Sequence, residues 1–297
     1  MSPQPTAKQA NELAGFRQAR LNKDRSQVPA LLVALKNPPE RFYTFTALHT
    51  LAQIGATEAL PAVNSLLATS HDIDLVNYAV AAKARILAES GAQAVKDPKA
   101  RARAKLAALY QGTSLTPEAL NGAAKVYQVY ASTPGEPTPI GVYVMREAAD
   151  ILYQEGVASS AVETAPPDYS LDPAAALKVQ MAALSPKDRI NALVEQMVHK
   201  QISQQAERYI IQLLADLGPA AEQAVDVKLV DMDQHQEQYV SGSFEILFDV
   251  LRGIGDSSQG PFVEDLAHDQ SRASGQAAEK AFADIVRGNK VVFAIGY

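Results

Sequence analysis

Apolar residues between Val28 and Gly91 recur at helical spacing. Val28, Leu31, Leu32 and Leu35 stand at i, i+3, i+4 and i+7, which places four apolar groups on one helical face. Asn37-Pro38-Pro39 predicts a stop, because proline has no amide hydrogen to donate and restricts the residue before it. A second helix is predicted from about Glu40 to Ile54, with Phe42, Phe45, Leu48 and Leu51 as its stripe. Gly55 follows the last apolar residue, where a left-handed cap favours glycine. The next helix carries Pro61 near its start, then Val63, Leu66 and Leu67. After the polar turn Ser70-His71-Asp72, Val76, Ala79, Val80 and Leu87 continue the pattern to Gly91.

Pro29 is answered by Pro61 and Gly55 by Gly91, a period of roughly 35 residues, the size expected of stacked helix pairs. A single pair cannot bury both of its apolar faces; stacking neighbours buries them in a continuous core. The pattern returns near the other end. Ile210, Leu213, Leu214 and Leu217 lead to Gly218-Pro219, and Phe244, Leu247, Phe248 and Leu251 lead to Gly255. Pro261, Val263 and Leu266 then stand where Pro61, Val63 and Leu66 stand after Gly55. Ala278, Ala281, Phe282 and Ile285 form a last helix, predicted to end at Gly288.

The stretches Leu51 to Gly55, Ala59-Leu60-Pro61-Ala62-Val63 and Asp74-Leu75-Val76-Asn77 resemble, in order, the HEAT repeat in its short bacterial form, also found in phycobilisome lyases. Asn77 departs from the arginine that family prefers. The resemblance is good over about residues 28–91, fair over 207–288 and poor between. It implies an all-α chain, an α-α superhelix or solenoid of stacked antiparallel helix pairs, used mainly to bind proteins. In that family the partner surface is the inner row made by the second helix of each pair. With Val63, Leu66, Val263 and Leu266 turned to the core, that row is expected to expose Asn64, Ser65, Glu264, Asp265 and His268.

Three regions are expected: repeats over 1–92, an irregular helical middle over 93–184 with a linker near 157–171, and repeats with an apolar tail over 185–297. Thr6 to Asn22 is predicted to be a capping helix, with Leu13, Phe16 and Ala19 on one face. Asp97-Pro98, Thr116-Pro117, Thr138-Pro139, Asp172-Pro173 and Ser185-Pro186 mark helix starts in the middle. Leu152 to Gly156 repeats the L-x-x-x-G ending. In the tail, Val292, Phe293 and Ile295 are expected to fold back and cover the last helices; the rival reading is that they dock into a partner or a second copy.

Composition narrows the function. A net charge of −6 argues against a general nucleic-acid binder, which needs a basic surface. The chain has no cysteine, which removes disulfides, thiolate metal sites and cysteine nucleophiles together. No apolar run is long enough to span a membrane. The polar start Met1-Ser2-Pro3-Gln4-Pro5 lacks the basic and apolar regions of a leader peptide and points to the cytoplasm. A chain whose leader had been replaced by methionine would look the same, and would be extracytoplasmic.

Chemistry-bearing motifs are few. Gly255-Asp256-Ser257-Ser258-Gln259-Gly260 is one residue too long for a nucleophile elbow and reads as a repeat turn with a capping side chain. Asp231, Asp233, His235 and Glu237 gather possible metal ligands, but without a glycine for a tight ligand loop they read as a hydrated turn, as do His71, Asp72 and Asp74. Lys96, Lys99, Arg101, Arg103 and Lys105 form the one basic cluster, read as a solvated helix face in preference to a patch for an acidic partner. His49, inside an apolar stripe, reads as a half-buried histidine bonded to a neighbour. No catalytic, cofactor or metal residues are assigned. The expected function is a non-enzymatic scaffold that binds another protein or peptide. The alternatives are a lyase-type or other ligand-handling enzyme on the same array, or a structural subunit of a larger assembly.

Overall fold

The computed structural model describes residues 7–287 apart from 37–40, 132, 134, 200–203 and 240–241. The proline stop after Ala34-Leu35-Lys36, the end at Gly288 and the tail lie outside the described residues. Among those described there are fifteen α-helices and no strand. They are α1 (Ala7–Asn22), α2 (Val28–Lys36), α3 (Arg41–Ile54), α4 (Leu60–Thr69), α5 (Ile73–Gly91), α6 (Pro98–Thr113), α7 (Pro117–Tyr130) and α8 (Ile140–Glu155). There follow α9 (Pro173–Ala182), α10 (Pro186–His199), α11 (Gln204–Asp216), α12 (Pro219–Gln234), α13 (Gly242–Ile254), α14 (Gly260–Ala267) and α15 (Ala273–Val286). The all-α expectation holds, and the helices pack on neighbours in sequence order.

The chain divides into two compact units, Gly15–Ala183 and Leu184–Gly296 with Met1–Ala14. In the first, α3 packs on α5, α5 on α6 and α8, and α8 on α9. In the second, α11 packs on α13 and α13 on α15, while α14 lies on α15.

The repeat is visible in how pairs begin. Short 3-10 turns, Arg25–Gln27, Thr57–Ala59 and Ser257–Gln259, each run straight into a short helix with proline in its first turn. Proline costs nothing there, because the first amides of a helix have no partner to lose. Asp24 and Asp256 cap two of the turns, accepting from the Ser26 and Ser258 amides at 2.9 and 2.8 Å. Residues 255–260 are thus a turn, with Asp256 capping the 3-10 segment rather than α14, whose first residues have no side-chain cap. Helix α3 is buried along most of its length and α5 over its half from Tyr78 to Glu89, whereas α4 buries only Val63. Helix α14 likewise buries only Gly260 and Val263.

Other local expectations hold. Leu13, Phe16 and Ala19 are buried on α1. Asp97, Thr116 and Asp172 cap α6, α7 and α9 through side-chain oxygens. Gly55, Gly156 and Gly255 adopt left-handed φ of 70°, 70° and 69°. Helix α5 ends at Gly91 without a left-handed residue, its cap Ala92 having φ −100°. Helix α6 runs past Gly112 to Thr113, and Ser114 takes the left-handed cap at φ 56°. The 157–171 stretch lies inside the first unit. Its Glu163 accepts from the Tyr110 and Tyr169 hydroxyls at 2.6 and 3.0 Å, and Asp168 N donates to Asn121 Oδ1 at 2.7 Å.

Two glycine substitutions are expected to move stability in opposite directions. At Gly55 a Cβ would add left-handed strain of about 1–2 kcal/mol and lie 2.8 Å from Glu89 Cβ. At Gly122, in the exposed interior of α7 with no neighbour within 4 Å, alanine removes backbone freedom from the unfolded chain and adds about 0.5–1 kcal/mol. Urea unfolding followed by circular dichroism should place Gly55→Ala below and Gly122→Ala above the parent.

Candidate functional site

The expected partner-binding residues lie on or just after the two short helices α4 and α14, which come first in their pairs with α5 and α15, so they are not on the second helices where the row was expected. Asn64 and Ser65 are exposed on α4, and Glu264 and Asp265 on α14, with His268 exposed just after it. The burial sequence from Pro61 to Thr69 is the same as that from Pro261 to Asp269: exposed at the proline, buried at the valine, exposed at the next two positions, half-buried at the leucine. One sequence pattern thus produces one kind of face in each unit. Leu66 and Leu266 are half-buried rather than enclosed in the core.

Behind the short helices of the first unit runs a feature of a different kind. His49 and Gln53 on α3, Tyr78, Arg85 and Glu89 on α5, and Glu147, Asp150 and Gln154 on α8 each repeat at spacings that keep them on one helical face. These faces meet in the interior. Arg85 is fully buried, and Glu89, Lys105, Glu147 and Asp150 are each at most 4% exposed. A charge in such a place must be paired and hydrogen-bonded to be tolerated.

Arg85 makes four hydrogen bonds and one further close ion-pair contact through its three nitrogens. Nε donates to Glu89 Oε1 at 3.0 Å; one terminal nitrogen donates to Glu147 O and Oε2 at 2.9 and 3.2 Å; the other meets Gln154 Oε1 at 2.9 Å and Glu89 Oε1 at 2.8 Å. Glu89 also accepts from Lys105 at 2.7 Å and Lys23 at 3.1 Å. Lys105 bridges onward to Glu155 at 2.6 Å, and Lys178 closes on Asp150 at 2.6 Å. Burial pushes the Glu89 carboxyl up, but Arg85, Lys105 and Lys23 outweigh it and hold it at about 2. Asp150 is likewise held low, burial being overcome by Lys178 and Arg85.

Gln53 fixes the state of His49. Its amide nitrogen donates to His49 Nε2 at 2.9 Å and to Asp150 Oδ2, so Nε2 is an acceptor and the ring proton sits on Nδ1. Nδ1 then donates to the Tyr78 hydroxyl at 2.8 Å, and that hydroxyl points on to Glu147 at 3.5 Å. Burial lowers the imidazole pKa and keeps the ring neutral. His49 is thus a buried histidine with bonded neighbours, as its place in the stripe predicts.

The basic cluster divides. Lys96, Lys99 and Arg103 are exposed, as a solvated face requires, whereas Lys105 and Arg101 turn inward. Lys105 is buried in the network, Arg101 donates to Glu155 at 2.7 Å and to the Val95 and Lys96 carbonyls, and Arg103 reaches the Val162 carbonyl. Alternation of these cations with outward lysines hides the inward row, and the matching carboxylates lie far away in sequence. The sign that marks them is i, i+4 and i+7 spacing of polar groups within apolar helices.

Among the possible metal ligands Asp231 and His235 stay together, at 3.2 Å, but Asp233 parts from them. Asp231 binds the Tyr239 hydroxyl at 2.8 Å and lies near Lys228, whereas Asp233 turns to Arg272 at 2.6 Å and to Ser274. Asp72 and Asp74 are both held by Arg41, at 2.6 and 2.8 Å. Asn77, the departure from the family pattern, donates to the Thr138 carbonyl at 2.9 Å. No described helix is long and apolar enough to cross a membrane. No family model, curated protein or solved structure matches the chain.

Replacing Arg85 by methionine should cost about 3–5 kcal/mol, because three carboxylates lose a buried counter-charge. The parent should also be acid-sensitive in a defined window. The folded pKa of Glu89 lies below its ordinary 4.5, so its contribution is complete above 4.5 and is lost as pH falls through about 2. Urea unfolding across that range should show the decline, flatter in Arg85→Met.

Proposed function

We propose that the protein is a non-enzymatic, HEAT-like scaffold that binds another protein or peptide along its short-helix faces. The observation that carries this is the repeated face on α4 and α14, in which one buried valine anchors the helix and the two following side chains point to water. The heavily buried long helices beneath hold such rows in place. A row held in place loses little freedom on binding, which favours affinity without a large contact area. On α14 the row is acidic: Glu264 and Asp265 are exposed, with Asp269 just beyond. A partner segment carrying lysine or arginine suits it.

Charge reversal tests the assignment. The double substitution Glu264→Lys, Asp265→Lys should leave the melting temperature unchanged, since exposed changes of this kind stay within about 0.5 kcal/mol. It should reduce partner capture from the native organism at least tenfold. Capture at the parental level would exclude the α14 face.

A further inference from the structure

The second unit holds a group of oxygens with no protein donor to match them. Glu222 and Asp226 lie one turn apart on α12, so their carboxylates share a face. Gln259, the last residue of the turn before α14, reaches the same place, its amide nitrogen donating to Glu222 Oε1. Glu222 is 5% exposed. Its second oxygen, Asp226 Oδ1 and Gln259 Oε1 are all buried without a hydrogen-bond partner among the described residues.

That arrangement is costly as it stands. A buried carboxylate oxygen without a donor forfeits its hydration, on the order of 1–3 kcal/mol or more. Here two acids also repel each other, with Asp256 adding its field, and Gln259 supplies a neutral amide where a cation is needed. Elsewhere in the chain buried carboxylates are matched: Glu89 has two lysines and an arginine, and Asp150 a lysine and an arginine.

We propose that Glu222, Asp226 and Gln259 form a binding site for a hard divalent cation of the Ca2+ or Mg2+ class. Both ions take oxygen donors only, and carboxylate and amide oxygens with water completing the shell are their usual ligands. Two carboxylates balance a double charge, which a monovalent ion does not. A half turn of the Gln259 amide exchanges its nitrogen for its oxygen and turns a third oxygen ligand toward the carboxylates. Asp226 is only half-buried, which leaves a side open to water ligands and to entry. Bound there, the ion reinforces the link between the turn before α14 and α12 that the Gln259 amide already makes. The proposal is independent of the partner-binding reading.

Calorimetric titration of the chelator-treated full chain with CaCl2, and separately with MgCl2, tests it. A saturable heat of one ion per chain with either cation is expected, together with a higher melting temperature in that cation than in EDTA. Asp226→Asn should weaken binding at least tenfold and lose the thermal response, while melting in EDTA no lower than the parent because the repulsion is relieved. Glu222→Gln is a second variant with the same expectation, in case the first does not fold. No saturable heat from either cation up to millimolar concentration would overturn the proposal, as would undiminished binding in a folded variant. A heat reproduced by NaCl at equal ionic strength would do so too.

Discussion

The buried guanidinium of Arg85 sets the terms on which the first unit folds. Its hydrogen bonds and ion pairs end on Glu89, Glu147 and Gln154, which belong to two helices far apart in sequence. Lys105 and Lys178 extend the same network to α6 and α9. Apolar contact alone tolerates a helix that slides or turns by a fraction of a residue. A charge in low dielectric does not, because each lost partner leaves another charge bare. With Gln53 of α3, which donates to Asp150 and accepts from Gln154, five helices are thereby held in one register.

Gly55 connects this network to the repeat. The left-handed turn that ends α3 brings its Cα against Glu89, and Arg25 from the preceding turn donates to the Gly55 carbonyl at 3.3 Å. The glycine that marks the repeat also gives room to α5 at the Cβ and backbone of Glu89, the residue whose carboxylate enters the ionic network. In the second unit Gly255 makes the same turn, yet the long helix there is lined by Phe244, Leu247, Phe248 and Leu251. One backbone pattern therefore supports two kinds of interior.

This difference explains what was legible in the sequence. Leucine and valine stripes with glycine ends announce helices by spacing alone, and α3, α4, α13 and α14 stand where those stripes place them. The exposed positions on α4 and α14 follow from the same arithmetic. The polar stripes were hidden because a lysine or glutamate at helical spacing looks the same whether it faces water or a buried counter-charge. Lys105 differs from Lys99 only in what lies opposite, and what lies opposite is Glu89 and Glu155 on other helices. The orphan oxygens of Glu222 and Gln259 were hidden for a related reason: lack of a partner is a property of three dimensions.

The ionic interior also shapes how the first unit responds to temperature. Exposing apolar surface raises the heat capacity of the unfolded chain, and exposing polar surface lowers it. A domain that fills part of its centre with Arg85, Glu89, Lys105, Glu147 and Asp150 in place of leucines therefore has a smaller heat-capacity change on unfolding and a broader, flatter stability curve. The hydration that these ions give up also loses value on warming. The network consequently loses less of its hold on the helices in heat than apolar packing of the same size would.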